Sequence, residues 1–147
     1  MLKALSSERG ITTVEFLLYA GLVVFLIFGS IDYWITGQRI NQVEHLKNYY
    51  LDRVRLEGYL TVADENELVG RLTAAGFEDI TIDAPKESAG WPRVLRSNDL
   101  SASEVWLRIR CRMVPRPFVF AQAIGGGVPG DFYVDVGGRA LSERVEP

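Results

Sequence analysis

No charged side chain interrupts residues 16–31, and Glu15 is the only charged residue between 11 and 31. With Tyr33, Trp34 and Ile35 the apolar stretch reaches about 25 residues, broken by Asp32; a hydrocarbon core needs about 20 helical residues. A secretory h-region is shorter, and no small-x-small cleavage site follows Phe28. A buried core helix of this length is out of scale with so small a protein. The pattern therefore predicts a membrane-spanning helix. Lys3 and Arg9, with the N-terminal amine, outweigh Glu8, so the N-terminus is expected to stay cytoplasmic and the remainder extracytoplasmic. Tyr33 and Trp34 fall where an interfacial aromatic belt belongs.

Past Asp32 the pattern turns amphipathic with no helix breaker. Ile40, Val43, Leu46, Tyr50 and Val54 recur at steps of three and four, with Arg39, Gln42, Glu44, Lys47, Asp52, Arg53 and Arg55 between them. One helix is predicted from about residue 11 to 57, ending near Gly58, about 70 Å long. A second helix is predicted over 65–75. Asp64 and Glu67 form a capping-box-like pair, Leu68, Val69 and Leu72 an apolar stripe, and Gly76 a C-cap with Phe77 folding back.

Strands follow. Ile80 and Ile82 alternate with Thr81 and Asp83, and 85–92 is a loop. The clearest strand covers 104–114: Val105, Leu107, Ile109, Cys111 and Met113 face one way, Trp106, Arg108, Arg110 and Arg112 the other. A third runs 132–136 with Phe132, Val134 and Val136 inward, then a bulge or turn at Gly137-Gly138 and a short edge strand in the tail. The fold class expected is α+β: a long N-terminal membrane-spanning helix and a small head with one helix on an antiparallel sheet of about three to four strands. The expected division is 1–10 as a leader, 11–34 as the spanning segment, 35–60 as its amphipathic continuation and 61–147 as the extracytoplasmic head.

Composition narrows the chemistry. The 147 residues hold 16 basic and 19 acidic side chains, net −3, which offers no general attraction to nucleic acid. One cysteine excludes an intrachain disulfide and reads as a buried small hydrophobe in its strand; one histidine, His45, reads as an exposed helix residue rather than a ligand. No metal site, cofactor or catalytic residue is expected. Gly125-Gly126-Gly127 lacks the Lys-Ser/Thr helix start of a phosphate loop, and no Ser or Cys has a histidine partner signature.

Three further features have competing readings. Gly21, Gly29 and Gly37 recur every eight residues, either as a close-packing helix face or as glycines common in membrane helices. Arg108, Arg110 and Arg112 form a solvated row partly neutralised by Asp135 or Glu143, or else a subunit contact or an anion site. Phe118 and Phe120 either cover the core or form a second subunit contact.

Gly10-Ile11, with Glu15 fifth after that junction and an apolar helix next, resembles the processing site of a type IV prepilin. The N-terminal stretch through Ile27-Phe28-Gly29-Ser30-Ile31-Asp32-Tyr33 is similar to the TadE-like pseudopilins of tight-adherence (Tad) pilus systems. Gly138-Arg139-Ala140-Leu141-Ser142-Glu143-Arg144 is similar to their chain ends. The resemblance implies cleavage between Gly10 and Ile11 by a prepilin peptidase. It implies that Glu15 aligns an incoming subunit in a homo- or hetero-polymer with other pilins. It further implies storage in membrane lipid, assembly by an inner-membrane platform and motor, and a place in a cell-surface pilus. Ile11 stands where classical pilins often have Phe, Phe16 where major Tad pilins have Tyr, and the chain is longer than theirs. The last two departures point to a minor pilin or pseudopilin.

The physics beside the resemblance is independent of it. A cut after Gly10 creates an ammonium at Ile11 about one helical turn from Glu15, and in a bundle of parallel helices that ammonium can meet a neighbour's carboxylate, selecting axial stagger. Otherwise Glu15 merely sits near the positive end of an ordinary anchor helix, and the chain is a non-polymerising, single-pass extracytoplasmic binding module. A third reading, a filament with charge-transfer or adhesive properties, rests only on the 11% aromatic content.

Overall fold

The computed structural model describes residues 5–114 and 131–145, with side chains from Thr12 onward. The expected Phe118 and Phe120 contact, and the side chain of Ile11, lie outside what is described. Two α-helices and three strands are described: α1 (Leu5–Glu57), α2 (Val62–Ala74), β1 (Phe77–Asp83), β2 (Glu104–Met113) and β3 (Tyr133–Leu141), with one 3-10 turn at Glu87–Ala89. The architecture is α+β. The residues group into two compact units, one holding α1 as far as Ile35, the other running from Thr36 and holding the rest of α1, α2 and the sheet.

α1 begins six residues before the predicted start, so its backbone is helical through Gly10 and Ile11. It stops where the sequence placed its end. Gly58 adopts φ +79°, and a Cβ there would come within 2.4 Å of the Val94 carbonyl oxygen. Glycine is the one residue that fits such a turn without clash or left-handed strain. The Val94 N–H then donates to Gly58 O at 2.9 Å, fastening the loop to the helix end.

α2 starts three residues earlier than predicted, and its cap is not Asp64. Thr61 is extended (φ −71°, ψ 156°), and its hydroxyl accepts from the Asp64 N–H at 3.1 Å. The threonine places its oxygen over the free N–H groups of the first turn. Asp64 is thereby released for another task, described below. At the other end Gly76 takes φ +83° and its N–H donates to Thr73 O, as a C-cap glycine should.

The sheet is antiparallel in the order β1-β2-β3. Val105, Leu107, Ile109, Cys111 and Met113 all face the core, matching the alternation read from sequence. Two features of the neighbouring strands differ from expectation. β1 has an irregularity: Glu78 pairs with Arg112 and Thr81 with Arg110, so two residues oppose Cys111 alone. Asp79 absorbs it at φ +50°, a conformation that aspartate tolerates better than most residues. β3 runs to Leu141 without the bulge expected at Gly137-Gly138; these pair in regular register with Arg108 and Leu107, and no separate tail strand forms among the described residues. The reason for Gly138 is proximity, since a Cβ there would lie 2.8 Å from Leu51 Cδ2.

The core joins α1, α2 and the sheet. Val43, Tyr50 and Val54 from α1 meet Leu68 and Leu72 from α2 and Phe77, Ile82 and Val134 from the strands, with Ile40 and Leu46 packed at its margin. Each large side chain buried here contributes about 1.5–3 kcal/mol. Lys47, grouped with the polar positions by sequence, is buried: its aliphatic stem lies against Gly138 while its ammonium sits 3.9 Å from Glu44. Long basic side chains cover apolar surface in this way.

Candidate functional site

The segment of α1 from Thr12 to Ile35 is mostly apolar, and most of its side chains are exposed. Phe16, Leu18 and Tyr19 are more than 60% exposed, and Leu22, Leu26, Ile27 and Phe28 are each about half exposed. An 18-residue window of this helix has mean hydropathy 2.3 with none of it buried, so by length and composition it could cross a membrane. A helix apolar on every side has no solvated face, unlike the amphipathic stretch that follows. Soluble monomers rarely expose a contiguous apolar surface of this extent.

Glu15 is exposed within this surface, five positions beyond Gly10. Gly21, Gly29 and Gly37 lie along the same helix, and a Cβ at each would meet no atom of the described residues within 4 Å. Gly29 helps form a notch of about 340 Å³ with Phe25, Leu26, Ser30 and Tyr33. Ser30 returns its hydroxyl to the Leu26 carbonyl at 2.7 Å, which satisfies it without water. Tyr33 and Trp34, at the end of the apolar stretch, are 76% and 65% exposed.

The arginine row lies on the outer face of the sheet, and its charges are matched by neighbours. Arg108 forms a two-pronged pair with Asp135 at 2.8 and 2.6 Å. Arg112 reaches Asp79 and Glu78, both at 2.7 Å, and approaches Asp131 at 3.7 Å. Arg110 lies over the Tyr133 ring, 4.8 Å from its centroid. Hydrogen bonding and charge from Arg108 hold the Asp135 carboxyl below its usual range against the cost of burial. Asp135 is thus one of the two partners anticipated from sequence. The other, Glu143, instead pairs with Arg55 on α1.

Several side-chain contacts have no signal in the sequence pattern. Arg53 pairs across to Asp64, and Arg53 and Arg71 both lie 5.9 Å from the Tyr49 ring centroid. The Tyr50 hydroxyl is buried beside Glu67 without a well-formed hydrogen bond; loss of hydration, then the Glu67 charge, raises its pKa. Trp91 and Trp106 meet edge to face at 5.6 Å. The one available signal was Trp106 on the arginine side of an alternating strand. Cys111 is sealed among core side chains, and burial alone pushes its thiol to about 11. His45 is exposed, and no cluster of three or more His, Cys, Asp or Glu suited to a metal ion occurs among the described residues.

No protein-family model, curated protein or solved structure matches this chain.

Proposed function

We propose that this chain is a pilin-like structural subunit, a minor pilin or pseudopilin of a Tad-type or type IV filament. In this reading its α1 segment spans a bilayer first and joins a helical bundle afterwards. The observation that carries the proposal is a membrane-length apolar helix, exposed among the described residues, with a carboxylate five positions beyond Gly10. Such a surface needs lipid or other helices around it. Each large side chain left in water forgoes about 1.5–3 kcal/mol.

The two environments are similarly apolar, so transfer from lipid to bundle gains little from hydrophobicity. Packing and polar contacts decide the outcome instead. Open glycine surfaces at Gly21, Gly29 and Gly37 let another helix approach closely. A carboxylate at mid-bilayer costs about 2.5–3.5 kcal/mol and less near the edge, so Glu15 gains from a cationic partner. The ammonium released at Ile11 of a neighbouring subunit is such a partner. The backbone is helical through Gly10, so a prepilin peptidase must unwind it locally. Glycine weakens a helix by about 1 kcal/mol relative to alanine and eases that step. The head would then lie outside the cytoplasmic membrane, and an assembly platform and motor would supply the work of extraction.

Mass spectrometry of protein sheared from the cell surface tests this. The expected chain begins at Ile11. A chain retaining residues 1–10 in assembled material, or a protein that stays monomeric in detergent with its leader intact, would instead favour a plain membrane-anchored module.

A further inference from the structure

The outer face of the sheet carries an open groove of about 880 Å³, on a different part of the chain from the apolar helix. Trp106 lines it and makes a T-shaped contact with Trp91 at 5.6 Å and 85°. Its indole N–H points to Asp83 Oδ1 at 3.4 Å. The Arg108–Asp135 pair stands on one side, at 2.6 Å, and the Arg139–Glu104 pair on the other, at 3.2 Å. Strand register explains the gap between them: Trp106 lies opposite Arg139, and Arg108 opposite Gly137, which has no side chain to fill the space.

We propose that this groove binds a pyranose unit of a neutral glycan. An aromatic wall provides a platform for the apolar face of a sugar ring. Guanidinium and carboxylate groups oriented by one another offer paired donors and acceptors to vicinal hydroxyls. The charge balance selects among ligands. Asp83, Glu104 and Asp135 face Arg108 and Arg139, with Arg110 opposite Asp135 at the margin, so the charges nearly cancel and a polyanion such as nucleic acid or an acidic polymer gains no net attraction. A second copy presenting the same face would set like charges opposite one another unless its register offset them. This site does not depend on whether the chain polymerises.

Gly137 gives a clean test. A Cβ there would sit 3.6 Å from Arg108 Cγ and 3.9 Å from Leu107 O, ordinary contact distances, so Gly137→Val fills the groove while β-branching suits the strand. The full chain, held in lauryldimethylamine oxide micelles to avoid sugar headgroups, is titrated with cellotetraose, tetra-N-acetylchitotetraose and mannotetraose while tryptophan emission is followed. The expected result is a saturable change with at least one of the three, weakened about tenfold or more in Gly137→Val, with the melting temperature maintained. No change with any tetrasaccharide, or a response that Gly137→Val leaves intact, overturns the proposal. A self-association that Gly137→Val disrupts, without any sugar response, assigns the groove to a second copy and also overturns it.

Discussion

Arg53 on α1 places its guanidinium 2.8 Å from the Asp64 carboxylate on α2, and that carboxylate is only 6% exposed. The contact crosses the turn between the helices and ties the start of α2 to α1. It is asymmetric: Arg53 keeps 43% of its side chain exposed and also approaches Glu67, at 3.8 Å, while Asp64 is enclosed. Removing the arginine leaves a buried charge uncompensated, whereas removing the charge on the acid frees a cation that water can solvate. Arg53→Met is therefore expected to cost about 1–3 kcal/mol. Asp64→Asn is expected to cost less. Thermal unfolding of both variants, followed by tryptophan near-ultraviolet circular dichroism, checks the order; equal losses would refute the asymmetry.

Gly58 and Gly90 separate two contributions to the role of a glycine. Both have positive φ, +79° and +72°, but a Cβ at Gly58 would strike Val94 O at 2.4 Å, while one at Gly90 would meet nothing within 4 Å. Gly90→Ala bears left-handed strain alone, about 1–2 kcal/mol. Gly58→Ala must in addition displace the loop that Val94 anchors. It should therefore lose more stability than Gly90→Ala, by about 1 kcal/mol or more. Denaturant melts with matched slopes provide the comparison, and similar midpoints would count against the described turn.

The head should lose stability in acid partly through Glu65. Burial acts to raise its pKa, but hydrogen bonds from Lys86 at 2.7 Å and Ser88 at 2.6 Å, together with the Lys86 charge, prevail and lower it. A group with a depressed folded-state pKa contributes stability that is complete above its unfolded value. That contribution is lost as pH falls through the folded value. The loss should therefore begin near the ordinary glutamate value, 4.5, and finish below it. Glu65→Gln should flatten this part of the profile of melting temperature against pH. An acid limb as steep as that of the parent chain would show that Glu65 is not its source.

Elements governed by local periodicity were legible from the sequence; those governed by contacts between elements were not. β2 could be read because alternation alone assigns its inward residues, and the end of α1 because Gly58 marks it. The cap of α2 is ambiguous in the sequence because Asp64 satisfies the same local pattern as Thr61, and only Arg53, 11 positions away, shows why the acid turns inward. The bulge at Asp79 depends on the strand that pairs with it, and Arg112 reaches its carboxylate from that strand. Gly137 and Gly138 resembled turn signals, yet one leaves space on the outer face and the other makes room for Leu51. In the apolar part of α1 the sequence provides the length, the charge pattern and the position of Glu15. The partner that would neutralise Glu15 lies on another molecule in the proposed reading, which no single chain can display.

Glu15 provides the sharpest discrimination between a filament subunit and an anchor. Replacing it by alanine removes an ionisable group from the apolar segment, which favours storage in the bilayer by up to about 3 kcal/mol. The same change removes the carboxylate that would pair with a neighbour's Ile11 ammonium, leaving that ammonium unmatched inside a helical bundle. Both effects oppose assembly, and neither touches Gly10-Ile11. Glu15→Ala should therefore be cut after Gly10 as efficiently as the parent chain, while its amount in sheared surface filaments falls by about tenfold or more. Glu15→Gln, nearly isosteric but neutral, should follow Glu15→Ala rather than the parent chain. Quantitative immunoblots of the membrane and sheared fractions measure both. Undiminished filament incorporation of either variant would remove the carboxylate from the assembly mechanism and return α1 to the role of a simple anchor.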